Sequence, residues 1–193
     1  MHSKDEAFLE NERKEVTLLF ADIRSFSTIA ERMAAEEVIA LLNEFFNLMV
    51  DIVFQQSGIL DKFIGDQLMA VFGLAPSTNP HPFDALTAAT VMQDATEELM
   101  GKRAKQGKET FWIGIGVNTG SAIVGNVGSE NRMDYTAIGD SVNIAAQLQQ
   151  IAKGGEILIG EETYRQIKGR FQVEKGDNIK VKNRIEPVCV IRF

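Results

Sequence analysis

Two aspartates and a lysine are the residues of this 193-residue chain whose surroundings point to chemistry. Asp22 closes the apolar run "VTLLFAD" (16–22), which reads as a buried central strand. Asp66 lies within "GILDKFIGDQLMAVFG" (58–73), in a Gly65-Asp66 turn between strands expected at 59–64 and 67–72, with Lys62 four residues ahead of it. A sheet that sets the first strand beside this hairpin brings both carboxylates to one edge. Two carboxylates and a main-chain carbonyl suffice as protein ligands for Mg²⁺, which prefers hard oxygens and keeps positions for water and substrate phosphate. The segment "ADIRSFS" starts a short helix directly after Asp22, with Ser27 as its expected cap, so the backbone N–H groups around Phe26 and Ser27 are free to meet phosphate oxygens.

The elements that must position these groups follow from the hydrophobic periods. From Glu36 to Gln56, the residues Val38, Leu41, Leu42, Phe45, Leu48, Met49, Ile52 and Val53 recur at helical spacing until Gly58 stops them. The stripe Leu41, Phe45, Leu48 and Ile52 is expected in the core, with a dimer interface as the other possibility. A second long helix is expected from about Phe83 to Lys105. "FWIGIGVNTG" (111–120) and "SAIVGNVG" (121–128) read as an antiparallel pair, and "DYTAIGDSVNIAAQLQQIAKGGE" as strand, turn and helix with Asp140 or Ser141 as cap. The tail from about 156 gives a strand, a short helix opening near Glu161 and two or three strands. The order β-α-α-β-β-α-β-β predicts an α+β fold, a mainly antiparallel sheet covered by helices.

Composition narrows the classes. With 45% apolar residues the chain can bury one substantial core, and no internal linker appears. A formal charge of −7 with no basic run argues against nucleic acid as a partner. Cys189, the only cysteine, sits in the apolar "PVCVIRF" and suits a reducing compartment. His2 and His81 have no Cys or His company at zinc spacing. No apolar run is long enough to insert in a membrane and no signal-peptide core is present, so a cytoplasmic domain is expected. Residues 1–14 are expected to be a charged lead-in from a longer protein and 15–193 the folded domain.

"VTLLFADIRSFS", "DKFIGDQLMAVFG" and "DYTAIGDSVNIAAQLQ" resemble, in order and spacing, the signature blocks of the class III nucleotidyl cyclases, the family of bacterial and animal adenylate cyclases. The resemblance covers about residues 14–193. It implies a ferredoxin-like βαββαβ core with C-terminal additions, and a homodimer whose two active sites are shared between subunits. By that likeness Asp22, Asp66 and the carbonyl of Ile23 hold two Mg²⁺ or Mn²⁺ ions per site. Lys62 and Thr136 read the purine, Asn143 orients the ribose, Arg184 meets the terminal phosphates, and "GNVGSEN" forms an arm reaching across the dimer. An upstream sensor domain is a further implied partner.

Lys62 can donate to adenine N1, and the Thr136 hydroxyl can accept from the 6-amino group, so ATP is the expected substrate. Guanylate cyclases of the family usually carry an acid at the lysine position. At residue 147 the family nearly always has arginine, which binds the α-phosphate; this chain has Gln147, a donor without charge. That departure keeps two other readings open, a catalytically weakened cyclase-like nucleotide-binding or dimerisation module, and a guanylate cyclase. Ser25 is a second departure, where the family often has glycine.

Overall fold

The computed structural model of the chain describes residues 11–129 and 131–174 in full, together with the backbone of strand residues 175, 179–181, 184–186 and 188–192. β1 (Glu12–Ile23) starts exposed and is buried on both faces from Val16 onward. Val16, Leu18 and Phe20 point to one side of the sheet, and Leu19, Ala21 and Ile23 to the other. A strand covered on both faces has no polar alternation, hence "VTLLFA".

After α1 (Phe26–Ala30), α2 (Ala35–Gln55) lays Leu41, Phe45, Met49, Ile52 and Val53 on the core. The stripe is therefore interior: Leu41, Phe45 and Ile52 are buried and Leu48 packs against them. At the start of α2 the Glu37 carboxylate accepts the Ala34 N–H at 3.1 Å, satisfying one donor of the first turn. β2 (Gly58–Ile64) and β3 (Gln67–Phe72) form the expected hairpin, with Gly65 at φ 65° in its turn. α3 (His81–Lys105) packs with α2 on the same face of the sheet.

β4 (Ile113–Ser129) and β5 (Arg132–Ile138) precede α4 (Asp140–Ile151), which covers the opposite face over Val16, Leu18, Phe20, Met69 and Val71. β6 (Glu156–Gly160), α5 (Glu161–Ile167), β7 (Glu174–Lys175), β8 (Ile179–Val181), β9 (Arg184–Glu186) and β10 (Val188–Arg192) complete the chain. Among the described residues the main sheet runs β2-β3-β1-β4-β6-β10-β7, with β5 on the far half of β4 and β8–β9 a separate ladder. β4–β6 is parallel and the other pairings are antiparallel. This is the α+β class expected, a mainly antiparallel sheet with helices on both faces.

The pair expected at 111–120 and 121–128 is one continuous strand. β1 follows β4 without a break from Ile23↔Ile113 to Glu12↔Val124, so "NTGS" is extended chain and not a turn. Its polar residues are used sideways. Thr119 Oγ1 lies 2.8 Å from Thr17 Oγ1 and 3.0 Å from Thr163 Oγ1, and Thr17 Oγ1 lies 2.8 Å from His81 Nδ1. Asn118 Nδ2 donates to the Ser141 carbonyl at 3.0 Å. The cap of α1 is Ser25 and not Ser27, and α3 opens at His81, two residues before the expected start. The expected lead-in overlaps β1, which already begins at Glu12; residues 1–10 lie outside the described residues.

Candidate active site

Asp22 stands opposite Gln67 in the β1–β3 register, so the residue at the tip of the hairpin, Asp66, comes to the edge where β1 ends. The two carboxyl groups lie near enough for Asp22 to act on the charge of Asp66. Burial first, and then the hydrogen bond and charge of Asp22, push the Asp66 carboxyl up to about 7, against the nearby Arg24. Such a pair holds its two charges together only with a proton or a cation between them. Hard oxygen donors in that state fit a divalent cation. Among the described residues no third His, Cys, Asp or Glu completes a ligand cluster, so further ligands come from main chain, water or substrate.

One oxygen of Asp22 is tied back. Arg24, in the turn just past the end of β1, donates from Nη2 to Asp22 Oδ2 at 2.9 Å, while its Nη1 reaches the Ala152 carbonyl at 3.3 Å. Gln149, fully buried on α4, donates from Nε2 to the same Oδ2 at 2.9 Å, and Gln67 Nε2 donates to Gln149 Oε1 at 2.5 Å. α4 can approach this closely because β4 has Gly116 beneath it; a Cβ there would run into the Gln149 nitrogen and the Ala145 carbonyl. Neither Arg24 nor Gln149 is among the residues predicted from the sequence. Arg24 has only a slight signal, a cation two residues past Asp22 where β1 gives way to a turn. Gln149 has none, being one of three glutamines in "QLQQ".

A second constellation lines a cleft of about 390 Å³ between the β2–β3 hairpin, β5 and the first turns of α4: Lys62, Gln67, Asp134, Thr136 and Asn143, floored by Phe20 and Met69. The structure thus brings Lys62, Thr136 and Asn143 to one cleft. Lys62 reaches the cleft through a bulge. Leu60 pairs with Ala70 and Lys62 with Met69, leaving Asp61 as the extra residue, so Lys62 lines the cleft while Asp61 reaches Thr136 in its wall. Asp61, whose side chain is 2% exposed, accepts the Thr136 hydroxyl proton at 2.6 Å and lies 3.6 Å from the Lys62 ammonium. Burial raises the Asp61 pKa, and Thr136 and Lys62 oppose the rise.

Gln147 follows Asn143 by one turn of α4, half-buried and outside the cleft lining. Ile23 ends β1 opposite Ile113, and Phe26 and Ser27 form the first turn of the five-residue α1. Ser25, between them, is held at φ 58° and ψ 28°, the left-handed conformation that favours glycine. Arg184 opens β9, paired with Val181; its side chain lies outside the described residues.

The sheet order, the carboxylate pair and the polar cleft beside it are the parts a nucleotide-handling domain needs. The chain belongs to the adenylate and guanylate cyclase catalytic domain family, whose model matches residues 9–191. It is 33% identical over 174 residues to adenylate cyclase 1 of Rhizobium meliloti (strain 1021), covering 89% of this chain and 26% of that protein. The chain therefore spans about a quarter of that relative's length. The crystal structure of the adenylyl cyclase CyaB from P. aeruginosa superposes with a TM-score of 0.90 at 37% identity, covering 96% of this chain and 97% of the other. The guanylyl cyclase Cya2 superposes with a TM-score of 0.86 at 31% identity, covering 93% and 91%. Among the described residues no helix is long and apolar enough to cross a membrane.

Proposed function

We propose that this cyclase domain is an adenylate cyclase, converting ATP to 3′,5′-cyclic AMP and pyrophosphate in two sites shared across a homodimer. The observation that carries the substrate is the meeting of Lys62 and Thr136 in one cleft. A lysine ammonium donates to adenine N1, whereas guanine presents N1–H there, and each unpaired buried group costs about 1–3 kcal/mol.

In the reaction the ribose 3′ oxygen forms a bond to the α-phosphorus while the bond from that phosphorus to the pyrophosphate oxygen breaks in line with it, and the 3′ proton leaves to solvent. Asp22, Asp66 and the Ile23 carbonyl are the residues to hold two Mg²⁺ or Mn²⁺ ions, which when bound lower the pKa of the 3′-hydroxyl and neutralise phosphate charge. Arg24 and Gln149 keep one Asp22 oxygen fixed, so its other oxygen is presented in one orientation. Asn143 orients the ribose, Gln147 donates to the α-phosphate, Arg184 meets the terminal phosphates, and the N–H groups of Phe26 and Ser27 take phosphate oxygens.

Two features support the shared site. The part-buried Gln67–Gln149 hydrogen bond fills the way from the cleft lining, where Gln67 lies, to Asp22 of the same chain, which Gln149 holds. In the cleft lining, Ile64, Val127 and Ile138 are each more than two-fifths exposed, an apolar margin suited to a second copy. An upstream sensor and a cytoplasmic setting belong to this reading of the whole protein. Gln147 favours one alternative, a slow cyclase-like module that chiefly binds nucleotide, because an amide brings no charge to the α-phosphate.

The test is turnover of ATP and GTP with Mg²⁺ or Mn²⁺ by the purified domain. ATP turnover lost in Asp66→Ala and in Lys62→Ala, and recovered on mixing the two variants, is the expected result. Undetectable wild-type turnover unaffected by Asp66→Ala defeats the enzyme reading, and no recovery on mixing defeats the shared site.

A further inference from the structure

We propose that Asp61 determines the purine preference of the cleft by fixing the direction of the Thr136 hydroxyl. The inference rests on the adenylate reading and says what makes it selective. A threonine hydroxyl has one proton and two lone pairs, and a free one rotates to donate or to accept as its partner requires. Thr136 alone would therefore take a 6-amino or a 6-oxo purine.

Asp61 removes that freedom. A carboxylate only accepts, and the 2.6 Å separation is that of a short charge-assisted O–H···O⁻ bond. The Thr136 hydroxyl and the Lys62 ammonium 3.6 Å away favour the ionised form, against the burial of the side chain and the charge of Asp134, and with 2% of the Asp61 side chain exposed, solvent does not compete for its oxygen. With its proton committed, Thr136 shows the cleft lone pairs alone. An adenine 6-amino group donates into them. A 6-oxo group would face acceptor with acceptor, leaving a buried polar group unpaired.

The bulge makes this possible. In a regular strand Asp61 and Lys62 would point to opposite faces, and one of the two base-reading contacts would lose its support. Asp61 is thus a positioning residue, acting through Thr136 and beside Lys62 without touching the base.

The experiment measures kcat/KM and equilibrium binding for ATP, GTP and inosine triphosphate, which shares the 6-oxo group of GTP but lacks its 2-amino group. In Asp61→Asn the side-chain amide can donate to Thr136 Oγ1 and release the hydroxyl proton toward the cleft. The expected result is a fall of roughly tenfold or more in the ratio of ATP to inosine triphosphate, in binding and in kcat/KM. Adding Asp61→Asn to Thr136→Ala should leave that variant's ratio unchanged, and Thr136→Ser should keep the wild-type ratio. If Asp61→Asn does not fold, Thr136→Val must bring the same fall with the carboxylate intact. A folded Asp61→Asn enzyme with the wild-type ratio overturns the role of Asp61 and leaves the adenylate reading standing. A fall that persists in the Thr136→Ala background overturns it too. A wild-type enzyme that prefers GTP overturns both.

Discussion

Gln149 on α4 donates a 2.9 Å hydrogen bond from Nε2 to Oδ2 of Asp22 at the end of β1, and with Arg24 it holds one carboxylate oxygen in place. Gln149→Leu removes this donor and strands the Gln67 amide beside it. Unfolding in urea should show a loss of about 1–3 kcal/mol. The Mg²⁺ dependence of turnover should move to higher concentration with about a tenfold lower kcat, as expected for a looser Asp22. Unchanged stability would mean that the bond does not form.

In the proposed site Gln147 would offer the α-phosphate a donor without charge. Gln147→Arg is expected to raise kcat for ATP by about 10²–10³ with little change in KM, the signature of an interaction made chiefly in the transition state. A rate that stays level or drops would put residue 147 away from the α-phosphate.

Ser25 sits in the left-handed region at φ 58°. Glycine adopts that conformation freely but loses more chain entropy on folding, so Ser25→Gly should leave stability level or raise it by about 0.5–1 kcal/mol. Ser25→Val, stiff and branched, should lower it by about 1–2 kcal/mol. Equal losses in urea titrations of the two variants would contradict the geometry.

His81 receives or donates the Thr17 hydroxyl bond through Nδ1, half-buried, and burial lowers its pKa below the ordinary 6.5 against the opposing charges of Glu15 and Asp84. The unfolded chain then binds a proton that the folded one resists. Its contribution is fully present above pH 6.5 and is lost as pH falls through that value toward the folded pKa. Thermal unfolding between pH 7.5 and 5 should show a steeper acid-side decline in the wild type than in His81→Gln, and parallel curves would rule the linkage out.

Much of this arrangement is legible in the order of residues, and the exceptions have physical causes. Asp22 and Asp66 can be paired from sequence because a strand end and a turn have only a few ways to adjoin in a sheet. Lys62, Thr136 and Asn143 come from matched motifs, and the structure gathers them in one cleft. Asp61 escapes because strict alternation sends it to the face opposite Lys62, and nothing in "LDKF" announces a bulge. The continuity of β4 escapes for a related reason: "NTGS" has turn composition, but its Asn and Thr side chains are satisfied laterally by Ser141, Thr17 and Thr163. Gln149 escapes because its value depends on Gly116 admitting α4 to the sheet, a contact between residues 33 positions apart.

The unbroken β4 has a mechanical meaning. Val124 is laddered to Glu12 on one side and to Ala137 on the other, so the first residues of β1 and the strand carrying Thr136 share a single row of the sheet. Tension or twist applied by whatever is joined ahead of Asn11 would travel two strand widths, with no helix or loop to absorb it, before arriving at the cleft wall that carries Thr136.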